Sequence, residues 1–154
     1  MHSLMKSLNW RIVAQIAIMT CILPKTLLGT DLSVEDMKSR LSSAAIGDRP
    51  KLCVQIAERQ MAETNRLYAA ADDDKAQPVL TDVVAYSELA RDYAIQSHKY
   101  QKQTEIAVRE MIRKLTQIEH TLGHEEVAPV KDAISHLQRV RDDLLAAMFS
   151  KGNK

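Results

Sequence analysis

The sequence predicts an all-α protein. Residues that favour helices dominate, and the 154-residue chain holds only four glycines and four prolines to interrupt them. No β-branched run with period two occurs, so nothing indicates a strand. Apolar side chains instead recur at i, i+3, i+4 and i+7 through several long segments, the spacing of one helix face.

The first segment stands apart. Lys6 and Arg11 precede an uncharged apolar run, Ile12 to Leu23, which Pro24 closes. A basic stretch followed by a short apolar run is the pattern of a secretory signal peptide. The run falls short of the roughly 20 apolar residues that a transmembrane helix needs. The expectation is a signal peptide over residues 1–29, cleaved after Gly29, because Thr30-Asp31 opens the polar region. The destination is then periplasmic or extracellular. Two alternatives stand beside it: an uncleaved signal anchor lengthened by Leu27 and Leu28, and lipoprotein processing at Cys21 after Ile18-Met19-Thr20. Either would bring in a membrane, since an acyl chain converts a soluble protein into an anchored one.

Three of the 21 basic residues, Lys6, Arg11 and Lys25, precede Asp31, so beyond the leader 18 basic residues face 20 acidic ones and the charge is −2. That is not the basic footprint of a nucleic-acid binder. Residues 30–154 suit a single domain with a modest core. With Cys21 in the leader, Cys53 is the one remaining cysteine, which excludes a disulfide scaffold within the chain. Leu52, Ile56 and Ala57 surround it on an apolar face, where cysteine acts as a small hydrophobe rather than a functional thiol.

The helices follow in order. A short one spans about 33–45, with Ser33 as N-cap, Glu35 and Asp36 in the first turn, and a stripe of Val34, Met37 and Leu41. A second opens at Asp48-Arg49-Pro50, where proline's missing N–H costs nothing, and runs over 50–71. Asp72-Asp73-Asp74 reads as a solvated turn; it lacks the glycine and distal glutamate of an EF-hand loop. A third helix is predicted from about 77 or 78 to 122, without glycine or proline inside that span after Pro78. At 1.5 Å per residue it is a rod of about 67 Å, which makes it the spine of an elongated bundle. Its middle, His98 to Gln103, is polar, so the alternative is a break there and a compact four-helix bundle. Gly123 ends the spine, and a fourth helix with a clean stripe covers 127–149. Short turns make successive helices antiparallel.

Candidate sites are few. Tyr86, Tyr93 and Tyr100 recur every seven residues along the predicted spine. They form either an aromatic strip that anchors a partner or a helix–helix seam with phenolic tips in water. His120 and His124 stand four apart beside Glu119, Glu125 and Glu126, a zinc-like spacing that Gly123 interrupts. His136 stands three turns along the next helix; a non-covalent haem would need His98 with a methionine, and nothing in the sequence points to one. HExxH, paired ExxH and CxxCH are all missing from the sequence, which disfavours a zinc protease, a di-iron bundle and covalent haem. Met37, Met61, Met111 and Met148 fall on the apolar stripes and read as core. Glu105 with Arg109 and Glu110 with Lys114 are favourable i, i+4 pairs. Neither a GxSxG elbow nor a phosphate-binding glycine loop occurs.

The expectation is therefore a non-enzymatic exported helical module, without cofactor, that works by self-association or by docking to another envelope or extracellular protein. The alternative is a small-ligand or metal-binding bundle using His98, His120, His124 or His136 with nearby acids.

Overall fold

The chain divides into two units, residues 1–31 and 32–154, and a computed structural model describes residues 32–150. The expectations for a signal peptide, its cleavage site and Cys21 lie outside the described residues. Within them five helices occur: α1 (Val34–Ser43), α2 (Arg49–Ala69), α3 (Asp73–Ser97), α4 (Gln101–Glu119) and α5 (Val127–Phe149). The protein is an all-α helical bundle.

Local chemistry sets the ends. Ser33 caps α1: its Oγ accepts from the Asp36 N–H at 3.1 Å, and the Ser33 N–H donates to the Asp36 carboxylate at 3.3 Å. This reciprocal capping box satisfies two donors that a helix start leaves free. Pro50 lies in the first turn of α2, where it removes no intrahelical bond. At the other end of α2 the Asp72 N–H donates to the Leu67 carbonyl and the Ala71 N–H to that of Tyr68, each at 3.0 Å. This is a Schellman closure, with Ala71 in the left-handed position that glycine usually takes.

Asp72-Asp73-Asp74 is not a free turn. Asp73 and Asp74 open α3, where the helix dipole favours negative charge, and Asp72 holds Lys75 at 2.6 Å. Pro78 consequently sits inside α3 rather than at its start and gives up one helical hydrogen bond.

The single helix expected over residues 78–122 is two helices. His98 and Tyr100 adopt left-handed backbone angles, with φ of 57° and 61°, and between them they reverse the chain. Left-handed geometry costs a residue with a side chain about 1–2 kcal/mol. The packing of α4 back across α3 offsets that cost. Met111 is buried against Ser87, whose hydroxyl lies 3.6 Å from its sulfur.

The four long helices run up, down, up and down. The two closest pairings are the antiparallel hairpins α2–α3 and α4–α5. The hairpins then lie side by side, α3 against α5 and α2 against α4, which leaves α2 and α5 diagonal. The core fills the space between them with Met61, Val83, Val108, Leu115, Leu137 and Leu144, all nearly or wholly buried. Each such side chain contributes about 1.5–3 kcal/mol of burial. Helix α1 lies outside this square, on α2, and seats Met37.

Candidate functional site

The up-and-down topology gathers three chain reversals or ends at one pole. These are the α1–α2 turn, the α3–α4 junction and the C-terminus of α5. We refer to this as the junction pole. The α2–α3 and α4–α5 turns form the opposite pole.

Large apolar side chains are exposed at the junction pole. Ile46 of the α1–α2 turn is 43 % exposed, Tyr100 of the junction 37 %, Ile106 of the first turns of α4 44 %, and Phe149 at the end of α5 75 %. Ordinary helix packing would turn such residues inward, and isolated exposed ones are common. Here the topology brings these four to one end, while Leu89, 36 % exposed, stands apart in the middle of α3. Tyr100 also lines a groove of about 270 Å³ between α2 and α4, with Lys51, Val54 and Glu58 on the other wall. Cations frame this pole. Lys99 lies along Gly47, so closely that a Cβ on Gly47 would come within 2.9 Å of the lysine Cδ.

Tyr86 and Tyr93 stand one heptad apart on α3, each half-buried. A cation covers each ring: the Lys38 ammonium sits 5.5 Å from the centre of Tyr86, and the Arg49 guanidinium 5.2 Å from that of Tyr93. Such contacts are attractive because the ring face is electron-rich. Lys38 also binds Asp82 at 3.1 Å, and Asp82 accepts from the Gln60 amide at 2.7 Å. The hydrogen bond to Asp82 raises the Lys38 ammonium above its ordinary value, while burial pushes the Tyr86 phenol up. Tyr86 and Tyr93 thus hold α1 and the start of α2. Tyr100 lies beyond the end of α3 and turns to the groove instead.

The histidines do not converge. His120 caps the end of α4 and His124 lies in the following turn, both exposed. The zinc-like spacing is lost because α4 stops at Glu119. Among the described residues no group of three or more His, Cys, Asp or Glu side chains is arranged to hold a metal ion. His98 is the exposed left-handed cap of α3. His136 lines a cavity. It lies with Glu88 and Asp132 along a groove of about 340 Å³ between α3 and α5, with its ring nitrogens 3.1 Å and 3.7 Å from their carboxylates. Leu80, Val84 and Ala133 line the apolar part.

Cys53 is wholly buried, and burial pushes its thiol up to about 12. It packs as a core residue with no access to solvent.

Three features escaped sequence reasoning. Glu105 is buried on α4 and accepts from Arg141 of α5 at 2.9 Å, with Arg109 secondary at 3.8 Å. Glu110 pairs with Arg113 in the same helix rather than with Lys114. At the opposite pole Asp73 meets Glu126. One oxygen of Asp73 and the Tyr68 hydroxyl are covered without a hydrogen-bond partner. Burial, then the neighbouring Glu126 carboxylate, raises the Asp73 carboxyl above the usual range. The Tyr68 phenol is raised by burial and by both acids. A pattern of charges along the sequence cannot reveal pairings between helices.

The fold class is an up-down-up-down helical bundle with an added N-terminal helix. Comparison with known protein families, with curated proteins and with solved structures finds no match to this chain. Among the described residues no helix is long and apolar enough to cross a membrane.

Proposed function

We propose that the chain is an exported, non-catalytic interaction module that associates with a second copy or with another envelope or extracellular protein through its junction pole. The observation that carries this reading is the gathering of Ile46, Tyr100, Ile106 and Phe149 as exposed apolar side chains at that pole. Exposed apolar clusters mark contact surfaces. The left-handed backbone of His98 and Tyr100 adds support, because strain of this kind concentrates at functional positions. Export rests on Lys6 and Arg11 followed by the apolar run Ile12 to Leu23.

The test pairs fractionation of cells that express the full chain with light scattering and pull-down on the purified protein. The expected result is recovery outside the cytoplasm and an association that Phe149→Ser with Ile46→Ser weakens. Cytoplasmic retention, or association indifferent to both substitutions, would refute the reading.

A second reading has one observation in its favour. The groove of about 340 Å³ around His136, with carboxylates on both sides and an apolar floor, has the size and mixed lining of a small-ligand site. A small cationic ligand bound there would raise the melting temperature with concentration, and Glu88→Gln would remove that shift.

A further inference from the structure

The three residues between α3 and α4 include no glycine and no proline, yet two of them are left-handed. Tyr100, at the start of α4, makes no side-chain cap bond. Each would be more stable as ordinary helix. The helical register also passes straight through them. Val83, Ala90, Ser97, Thr104 and Met111 fall seven apart, as do Leu80, Ser87, Ala94, Gln101, Val108 and Leu115. All are buried except Ser97 and Gln101, which flank the junction and are half-buried. A hairpin makes no demand on the phase between its two arms. A continuous helix does, because its heptad positions must stay on one face.

We propose that the chain exchanges its α4–α5 hairpin with a second copy of itself, by straightening residues 98–100 into helix. Helices α3 and α4 then form one rod from Asp73 to Glu119, about 70 Å long at 1.5 Å per residue. The α2–α3 hairpin of one copy receives α4–α5 of the other. Contacts now made within one chain are remade between copies: Ser87 with Met111, Arg91 with Asp143, and Glu88 with His136. The packing of the core is conserved, and the two left-handed residues are relieved. Short, strained hinges favour such exchange. The inference rests on the self-association arm of the function proposed above and names its geometry.

The test uses the full chain, refolded from denaturant over a concentration series and sized by light scattering. Refolding at high concentration is expected to yield a dimer. Replacing His98, Lys99 and Tyr100 together by alanine favours the straight helix and should tighten dimerisation about tenfold or more, a change of about 1.4 kcal/mol. His98→Gly with Tyr100→Gly suits the reversal and should shift the chain to monomer. Spin labels at Thr81→Cys and Lys114→Cys in a Cys21→Ser, Cys53→Ala background, diluted with unlabelled chain, report the hinge. The straightened form separates them by roughly 50 Å within one chain, and the hairpin by far less. A dimer with the long separation supports exchange. A dimer with only the short separation overturns it and leaves surface association through the junction pole standing. A single-chain mass at every concentration overturns it as well, and partner binding by other proteins then remains for the pull-down to decide.

Discussion

The contact between Glu105 and Arg141 is the sharpest test of how the α4–α5 hairpin is held. The Glu105 side chain is only 9 % exposed and accepts from Arg141 Nε at 2.9 Å. Hydrogen bonds to charged groups contribute about 1.5–3 kcal/mol net. Removing one partner of a fully buried pair costs about 3–5 kcal/mol, because the other charge is stranded. Here the stranding is incomplete on both sides. Arg141 is 38 % exposed and can turn to water, and Arg109, already 3.8 Å from the same oxygen, can close on Glu105. Glu105→Ala should therefore cost about 2 kcal/mol, near the middle of the hydrogen-bond range. Arg141→Ala should cost somewhat less. In a domain of this size 2 kcal/mol corresponds to a fall of about 8 °C in melting temperature. A double-mutant cycle on denaturant midpoints isolates the coupling, expected at about 1.5 kcal/mol or more. A coupling below about 0.5 kcal/mol would place the pair with ordinary surface ion pairs and refute the argument from burial.

Three further outcomes follow from the same structure. Leu115 is fully buried between the hairpins, so Leu115→Ala should destabilise by about 3 kcal/mol; a loss under about 1 kcal/mol would mean that the core there is loose. Cys53, covered and with its thiol pushed up to about 12, should resist a thiol reagent at pH 8 in the native protein and react at once in denaturant. Rapid native labelling of a Cys21→Ser chain would contradict its placement. Asp73 carries a raised carboxyl, so between its ordinary and its raised value the folded state binds more protons than the unfolded state. Stability from this site is then greatest at and below the ordinary carboxylate range and falls as pH rises through the raised value. The difference in denaturant midpoint between the native sequence and Asp73→Asn, followed upward from the ordinary carboxylate range to neutral pH, should show that decline. Identical profiles would refute the raised carboxyl at Asp73.

Much of the bundle was legible in the residues, because local signals and burial agree there. The Ser33–Asp36 capping box, Pro50 at the start of α2 and the apolar stripe of α5 each bind a local preference to the face that packs. The methionine stripe reads the same way, with Met37, Met61 and Met111 buried. The start of α3 lies before the expected position because Pro78 signals a helix start in the sequence more strongly than the placement of Asp73 and Asp74 on the helix dipole does. The candidate site was less legible. The tyrosine spacing puts Tyr86 and Tyr93 one heptad apart on α3, but the cations over their rings come from α1 and the start of α2, remote in sequence.

The break at residues 98–100 is the instructive case. Heptad spacing reports which positions turn toward a core, and Val83 and Ala90 before the break and Thr104 and Met111 after it are buried in one register. It does not report whether that core lies along one rod or between two arms. With no glycine or proline at the junction, the local sequence favours the rod. The reversal is imposed by what α4 and α5 gain when they pack on α2 and α3, a tertiary term that outweighs two left-handed residues. Two structures compatible with one register differ chiefly in whether those contacts are made within a chain or between chains. Protein concentration is therefore the variable that should choose between them.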